Sequence, residues 1–508
     1  MKKTTLAIGV ITILSSSYVG IAWHTGNVIE NDLDKSLTLA AEQFNNSQNV
    51  FKINISHSND EKRLFSTKTH INITLSSKDG SFGDVFTLAD RDFTIHHGPF
   101  PIAALKQGIF SPQMAWVEYE TSEESNPLLW KANNNQPFIT GYISLDYSEN
   151  MIIKLFSKEI SKYRETDYGF KVGYQLGKGS FTFISNIDSA IPSITLDLDK
   201  FQTQKTVYYL TLDKLHIDLD GEKQSTMIGY NLNLDSLKTN LRDIYFYYLD
   251  DYDYDETDND TFSIENLRAN GTIDSNNQNI TLNANLDKFT LIPESDEERP
   301  FIILNKLSIK QKVDLSDTRV LNGSFTSSVD SILYGQQNLG KAEIDLDYQG
   351  LDKEIFGEEF IDEETHYDQP INSKFELKNL NWRNKKGDVN IKGLLDIAKP
   401  YDIYMLDNPL DNINNFSLHV NAPLNVLAYS YAQYDDPQHS ALTEEQFNKS
   451  KKTVQKNLIY MFNDSQIFKF SKGQEQGLFI DIDILKDSNK ANINGQIYNK
   501  SEVLDLFE

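Results

Sequence analysis

Apolar and polar residues alternate with a period of two along much of the chain beyond about residue 50. The clearest runs have apolar residues at every second position: Ile194, Leu196, Leu198; Ile280, Leu282, Ala284, Leu286; Ala342, Ile344, Leu346, Tyr348; and Leu478, Ile480, Ile482, Ile484. Successive side chains of a strand point to opposite faces, so each run would bury one face and expose the other. This pattern is typical of antiparallel sheets. It predicts a mainly β, β-rich α+β fold with an extended, curved antiparallel sheet of amphipathic strands.

A short pattern recurs four times in this region: apolar, any residue, apolar, two residues, Leu, any residue, apolar. The residue before the shared Leu is Lys214, Asn266, Lys306 or Asn379. The alternation shifts by one residue there, which predicts a β-bulge that bends and twists the sheet. Four unevenly spaced copies do not fit a propeller or a solenoid. Two interpretations stay open: recurring hairpins of an ordinary sandwich, or a long curved sheet whose apolar face is partly open.

Helical patterns are few, and the clearest follows Pro437. Thr443 and Gln446 have the spacing of a capping box. The apolar residues after them fall on or near one helix face, and these are Phe447, Val454, Leu458 and Met461. We expect this C-terminal helix to cover part of the sheet. Acidic runs at 250–260, 294–298 and 358–364 predict exposed loops.

The N-terminus has Lys2 and Lys3 before an uncharged stretch from Thr4 to Trp23. At about 1.5 Å per residue, this stretch can span a hydrocarbon core of roughly 30 Å. A cleaved signal peptide is the alternative, because the most apolar part is short and three serines follow it. Trp23 at the exit, the lack of an Ala-x-Ala site and the helical pattern beyond favour a retained transmembrane anchor. The charges then place the N-terminus in the cytoplasm and the body outside.

Composition narrows the classes of function. In 508 residues, Asp and Glu outnumber Lys and Arg by 74 to 48, which gives a net charge of -26. This charge repels the phosphate backbone, so we expect no nucleic-acid partner. The absence of cysteine excludes disulfides, thiolate metal sites and cysteine nucleophiles.

Three groups of residues have a chemical interpretation beside a structural one. The acidic run at 250–260 offers oxygen ligands for Ca²⁺ but lacks the sixth-position glycine of an EF-hand, and a solvated turn explains it as well. Aromatic residues at 245–254 suit either a ligand grip or a strand with aromatics on both faces. His96 and His97 are adjacent, so on a strand they point to opposite faces and do not readily share one metal ion. No zinc motif, nucleophile elbow or phosphate loop occurs. We predict no catalytic, cofactor-binding or metal-binding residue.

Four stretches carry a family resemblance: the anchor exit at 22–30, the turn at 63–66, the segment at 95–101 with the HGPFP motif, and the strand and turn at 493–496. In these stretches the chain resembles the bacterial YdgA-like family, envelope proteins of Gram-negative bacteria with no assigned function. The resemblance implies a single-pass inner-membrane protein with most of its chain in the periplasm. The amphipathic strands are also similar, at the level of the fold, to those of AsmA-like envelope proteins, for which lipid handling in an apolar β-groove has been proposed.

The HGPFP motif is expected to end a strand. Gly98 permits a turn, while Pro99 and Pro101 hold Phe100 in an extended segment that cannot donate to a sheet ladder. Phe100 is then expected to act as a fixed apolar plug.

We predict five segments: a transmembrane anchor at 1–24, a juxtamembrane helix at 25–48, an N-terminal β-rich region with the HGPFP motif at 49–190, central β-strand repeats at 191–436, and a C-terminal helix with closing strands at 437–508. The leading hypothesis is a non-enzymatic, membrane-anchored protein whose β-rich body binds an apolar ligand such as a lipid in envelope homeostasis. The alternative is a homodimeric structural or assembly factor without a small-molecule ligand. A third hypothesis is an envelope hydrolase acting through a pair of carboxylates.

Overall fold

The computed structural model describes most of the strand-forming chain and a few residues before it. The described residues are 51–78, 85–124, 127–165, 171–186, 192–205, 208–221, 227–240, 260–274, 278–293, 299–353, 372–398, 409–462, 465–485 and 490–503, with 488, 506 and nine single residues between 22 and 45. The chain divides into two compact units. Unit 1 comprises residues 1–206 and 213–226, and unit 2 comprises residues 207–212 and 227–508.

Among its described residues from 51 to 205, unit 1 has a run of antiparallel strands and two short helices. The strands are β1 (Phe51–Lys62), β2 (Ser66–Ser77), β3 (Phe86–His97), β4 (Gln113–Glu120), β5 (Ile139–Asp146), β6 (Asn150–Ser157), β7 (Ile160–Glu165), β8 (Lys171–Leu176), β9 (Gly179–Asn186) and β10 (Ser193–Lys205). The helices are α1 (Ile102–Lys106) and α2 (Pro127–Ala132). The strands pair in the order β1, β2, β3, β4, β5, β6, β9, β10. β10 also pairs with β8, and β8 pairs with β7.

Strand β11 (Tyr208–Gly221) has residues in both units. The strands of unit 2 are β12 (Met227–Asn240), β13 (Thr261–Asp274), β14 (Asn279–Ile292), β15 (Ile302–Asp314), β16 (Val320–Tyr334), β17 (Gln337–Asp352), β18 (Asn372–Asn384), β19 (Gly387–Ala398), β20 (Ile413–Pro423), β21 (Lys469–Lys472), β22 (Glu475–Leu485), β23 (Lys490–Ile493) and β24 (Gln496–Asn499). The helices are α3 (Leu424–Asp435) and α4 (Glu444–Phe462), with 3₁₀ turns at Pro409–Asn412 and Lys500–Glu502.

Neighbouring strands of unit 2 follow one another in the chain. From β12 to β20 each strand pairs antiparallel with the next, and β20 then pairs with β22. β22 also pairs with β21 and β23, and β23 pairs with β24. The predicted mainly β, antiparallel architecture with few helices is confirmed. The extended, curved shape and the five-segment division stay predictions.

The sequence repeat corresponds to an unusual backbone conformation. The residue before the shared Leu is left-handed in three copies, with φ of 48° at Lys214, 54° at Asn266 and 52° at Lys306. The strands keep one register on both sides of Asn266 and Lys306, so no residue is inserted there. The predicted bulge is therefore wrong for these two copies. The alternation shifts at a left-handed residue and not at an inserted one. The fourth copy does contain a register shift, beside Asn379 in β18.

The helix predicted after Pro437 is present as α4. The Thr443 hydroxyl accepts from the Gln446 backbone N–H at 3.2 Å, and the Gln446 side-chain oxygen accepts from the Thr443 N–H at 2.9 Å, which confirms the capping box. α4 buries Phe447 against Ala428 and Tyr429 of α3. It therefore packs chiefly on another helix.

Helix α3, which the sequence analysis missed, supplies the apolar contact with the sheet. Val426 of α3 is fully buried with Val389 of β19 and Ala422 of β20. Pro423 directly before the first helical residue was the available start signal. The apolar run that follows extends the period-two pattern of β20, which hides the change to helix.

The predicted anchor at 1–24 lies almost entirely outside the described residues. Ala22 and His24 to Gly26 are helical, and so are the described residues of the predicted juxtamembrane helix: Leu37, Thr38, Ala41, Glu42 and Asn45. Among the described parts of the chain, no helix is both long and apolar enough to cross a membrane. The anchor stays a prediction.

Candidate functional site

One side of the unit 2 strands carries a nearly continuous apolar surface, which we call the apolar face. The strand register places apolar residues directly opposite one another. One row runs through Leu232, Ala269, Ala284, Ile309, Ser327, Ile344, Leu380, Ile391, Val420 and Ile480. The next row runs through Leu234, Leu267, Leu286, Leu307, Val329, Ala342, Trp382 and Val389. Cross-strand pairs of this kind stabilise the sheet and make one of its faces hydrophobic.

The apolar face is covered at one end and partly exposed elsewhere. At the C-terminal strands it forms a closed core whose buried members are Leu410, Ile413, Ile467, Ile480, Ile482, Ile484, Ala491, Ile493 and Val503. Across β12 to β17 the described apolar side chains are mostly half-buried, and only Leu234, Leu286 and Val329 are buried. These three lie in one row. No second layer of described residues therefore covers this part of the face.

Two tyrosines lie over glycines on the apolar face. A Cβ at Gly271 would collide with the ring of Tyr230, and a Cβ at Gly323 would collide with the ring of Tyr348. The Tyr230 hydroxyl donates to the carbonyl of Thr281 at 2.5 Å. An aromatic ring over a strand glycine fills the space that the missing side chain leaves. The rings therefore add apolar surface while this hydroxyl stays hydrogen-bonded.

A polar row, which we call the kink row, crosses β12 to β16 and includes the left-handed residues Asn266 and Lys306. The surrounding register aligns Asp235, Asn266, Asp287, Lys306 and Asp330. Asn266 donates to the Asp287 carboxylate at 2.9 Å, and Lys306 pairs with Asp330 at 3.7 Å. The apolar alternation changes phase at this row in all five strands. We infer that the kink row keeps apolar side chains on one face along the whole strand.

The opposite side of unit 2 carries paired charges. Lys378 lies 2.6 Å from Asp347, and this hydrogen bond raises the pKa of Lys378. Both residues line an open depression of about 520 Å³ together with Lys312 and Asp314. Hydrogen bonds from Ser316 lower the pKa of Asp314, so this carboxyl stays ionised at neutral pH. A general acid needs the opposite shift.

Two histidines lie between pairs of carboxylates on neighbouring strands. His419 Nδ1 is 2.6 Å from Asp481 and Nε2 is 3.7 Å from Asp483, close enough for the three side chains to hold one metal ion. In unit 1, His70 Nε2 is 2.9 Å from Asp90 and Nδ1 is 3.0 Å from an Asp92 oxygen. Neither group is recognisable in the sequence, because the Asp-x-Asp patterns meet their histidine only through strand register. As exposed cross-strand ion pairs they are ordinary sheet features.

His97 is buried where two of the sequence motifs meet. Its Nδ1 lies 2.9 Å from the carbonyl oxygen of Ala22, and its Nε2 lies 3.5 Å from the Thr67 hydroxyl. A Cβ on Gly26 would lie 2.6 Å from the Cε1 atom of the His97 ring. The Thr25 hydroxyl is 3.3 Å from the hydroxyl of Tyr147. The anchor exit at 22–30, through Ala22 and Gly26, and the HGPFP motif, through His97, thus meet in one contact, which we call the motif contact.

The protonation state of His97 follows from its partners. Burial lowers the pKa of His97, which favours the neutral ring. Because a carbonyl only accepts, Nδ1 carries a hydrogen and donates to Ala22. Hydrogen bonds with the Ala22 and Ser66 backbone raise the pKa of His97, but less than burial lowers it. His96 lies in the same strand opposite Trp116, and burial lowers its pKa as well. The two histidines have separate surroundings, as their adjacency predicted.

The rest of the HGPFP motif agrees only in part with its prediction. β3 ends at His97 and Gly98 has φ 114°, which confirms the turn. Phe100 is not a buried plug, since 39% of its surface is exposed. The chain enters α1 directly after Pro101, which leaves Phe100 on the outside of the loop. Apart from Asp260, the acidic run at 250–260 lies outside the described residues, as do the aromatic residues at 245–254 and the acidic runs at 294–298 and 358–364.

These features define a β-rich protein with a one-sided apolar sheet and a docked N-terminal segment. Residues 1–361 match the family model described as "Bacterial protein of unknown function (DUF945)", and the chain belongs to this family. Protein YdgA of Escherichia coli (strain K12) is 24% identical over 363 residues, which are 70% of this chain and 61% of that protein. The uncharacterized protein YihF of the same strain is 24% identical over 224 residues, which are 41% of this chain and 44% of that protein. The matched part thus spans less than two thirds of either relative, and no solved structure matches the chain. The resemblance to YdgA-like proteins is confirmed.

Proposed function

We propose that this chain is a non-enzymatic protein, anchored in the inner membrane by residues 1–24, whose apolar face binds the hydrocarbon part of a lipid or a similar apolar ligand in the periplasm. The carrying observation is the apolar face itself. Its rows continue across β12 to β17 without a covering layer among the described residues, while the same face is closed by α3 and the C-terminal core further on.

Apolar surface left in water costs about 25 cal/mol per Å², and exposed apolar patches above a few hundred Å² usually mark binding sites. The two rows named above each cross all six strands from β12 to β17, which amounts to a large patch. A flexible hydrocarbon chain suits it, because the face has few polar groups to satisfy.

The test compares two neighbouring residues of β15 that lie on opposite faces. Ile309→Lys places a charge on the apolar face, and Ser308→Lys places the same charge on the polar face as a matched control. The full chain, purified from membranes, is analysed for co-purifying lipid and for saturable uptake of a fluorescent long-chain fatty acid. We expect Ile309→Lys to lower both by about tenfold, equivalent to about 1.4 kcal/mol, and Ser308→Lys to leave them unchanged.

Two outcomes contradict the proposal. Wild-type protein without co-purifying lipid and without saturable uptake would exclude a lipid ligand. Equal losses in the two variants, with both still folded by circular dichroism, would place the ligand away from the apolar face.

The alternative function is a homodimeric assembly factor joined through a sheet edge or face. One observation argues against the outer edge of β1 as that joint. The Asn45 side chain accepts from the Ile53 N–H at 2.7 Å and donates to the Ile53 carbonyl at 2.9 Å, so at Ile53 the protein satisfies the edge itself. Light scattering that shows a dimer insensitive to added lipid would favour the alternative.

A further inference from the structure

Large apolar side chains are exposed together at one end of unit 1. The most exposed are Phe110, with 74% of its surface accessible, and Ile102, with 67%. Leu64, Phe65 and Tyr147 are exposed as well. We call these five residues the loop-tip patch.

The strand register places the whole loop-tip patch at the same end of the sheet. Ser66, His96 and Trp116 are paired across β2, β3 and β4. Leu64 and Phe65 precede the first of these strands, Ile102 follows the second, and Phe110 precedes the third. Tyr147 belongs to the turn after β5, whose last residue, Asp146, pairs with Gln113 at the start of β4.

Local packing explains why these side chains point outward. α1 turns Ala103 and Ala104 inward against Trp116, which leaves Ile102 on its outer side. Ile109 packs on the same cluster, so its neighbour Phe110 is exposed. The exposure is therefore built into well-packed loops.

The motif contact lies at the same end. His97 is the last residue of β3, and its Nδ1 donates to the Ala22 carbonyl at 2.9 Å. Thr25 reaches Tyr147, a member of the patch, at 3.3 Å. The described residues Ala22 and Thr25 therefore lie beside the loop-tip patch.

The charges around the patch are of both signs. Lys62 and Arg63 directly precede Leu64, and Lys106 lies between Ile102 and Phe110. Arg63 pairs with Glu61 at 3.9 Å. Asp146 and Glu149 lie on either side of Tyr147 in the sequence. The exposed apolar side chains therefore favour contact with a membrane, and the cations add contacts to anionic headgroups.

We propose that the loop-tip patch inserts into the interface of the membrane in which the N-terminus is anchored, so that this end of unit 1 lies on the bilayer. The proposal rests on the proposed anchor for its geometry but not on the lipid-binding role of the apolar face. Side chains of the patch would lie at the headgroup boundary, and His97 would hold the exit of the anchor against the same end.

The experiment uses depth-dependent quenching in the full chain. Because the protein has no cysteine, one introduced cysteine takes an environment-sensitive fluorophore at a single position. Ile102→Cys and Phe110→Cys report the patch, and Ile13→Cys reports the anchor. Val85→Cys is the matched control, because Val85 is 64% exposed but precedes β3 at the other end, about 35 Å away along the strand.

Each variant is reconstituted into bilayers with and without brominated lipid. We expect emission at 102 and 110 to fall about twofold with brominated lipid, and emission at 85 to stay unchanged, since interfacial burial reaches only about 5–10 Å into the membrane. Quenching at 13 but not at 102 or 110 would overturn the patch and retain the anchor. Quenching at 102 and 110 but not at 13 would support the patch and overturn the anchor.

A second copy of the chain is the other occupant to test. Cross-linking of two copies through position 110, without quenching by brominated lipid, would assign the patch to a protein interface and overturn the proposal. Equal quenching at 85 and 110 would overturn it too, because unit 1 would then have no preferred end at the membrane.

Discussion

The effect of Gly26→Ala on stability should depend on the His97 ring, its partner in the motif contact. Gly26 lies in a helical segment, and Ala normally stabilises a helix by about 1 kcal/mol relative to Gly. Here the added methyl group would lie 2.6 Å from Cε1 and 2.9 Å from Nε2 of the buried His97 ring. Forcing such an overlap in a packed site costs about 1–3 kcal/mol. We therefore expect Gly26→Ala to be neutral or destabilising by up to about 2 kcal/mol in the native background.

Removal of the ring reverses the expectation. In a His97→Ala background the methyl group has space, so the helix preference remains and Gly26→Ala should stabilise by about 1 kcal/mol. The two substitutions should then couple by about 1–3 kcal/mol in a double-mutant cycle. His97→Ala alone should destabilise the contact, because the buried Ala22 carbonyl loses its donor.

The assay must report unit 1 locally, because a chain with two units need not unfold in one step. Hydrogen–deuterium exchange of the peptides around residues 22–26 and around β3 gives the free energy of local opening in each of the four proteins. Trp116, fully buried and stacked on Tyr142 at 4.2 Å, provides a fluorescence control for unit 1 integrity. If Gly26→Ala has the same effect with and without the His97 ring, the ring does not pack on Gly26 and the motif contact is refuted.

Three further predictions concern single positions. Lys306→Gly should stabilise the chain by up to about 1 kcal/mol, because Gly adopts a left-handed φ freely. Ser308→Gly in the same strand should destabilise it by about 0.5–1 kcal/mol. Thermal unfolding of both variants measures these two opposite changes. The carboxylates of Asp92 and Asp90 raise the pKa of His70 above 6.5, so its stabilising effect is complete below pH 6.5 and is lost as the pH rises through the folded-state pKa. An NMR titration should show this raised pKa, and Asp92→Asn should lower it. Asn45→Ala should speed hydrogen exchange at the outer edge of β1, and unchanged exchange would show that Asn45 does not protect it.

The strands were predictable because their signal is local. Ile280, Leu282 and Ala284 alternate with polar residues, and this period of two is enough to assign a strand and its apolar face. The repeat was visible for the same reason, although the sequence did not distinguish an inserted residue from a left-handed one. That distinction depends on φ and on register, which pattern analysis does not contain.

The contacts of His97 and His419 were not predictable because they join residues that are distant in the sequence. Ala22 and His97 are 75 residues apart, and His419 and Asp481 are 62 apart. Each pair meets only after several strands have taken one register. The sequence carried the signal for the motif contact only as two separate motifs with small or polar residues, and nothing in their spacing indicated that one histidine joins them.

The kink row connects the repeat with the proposed ligand site. A left-handed conformation costs a residue with a side chain about 1–2 kcal/mol, and Asn266 and Lys306 both adopt it inside long, regular strands. A sheet of regularly alternating residues does not require left-handed residues. Each contacts a cross-strand partner, Asp287 or Asp330, and each coincides with the phase change that keeps apolar residues on one side. The repeat is therefore best explained by the apolar face: it recurs where the strands change phase, and it keeps apolar residues on that face along the whole strand.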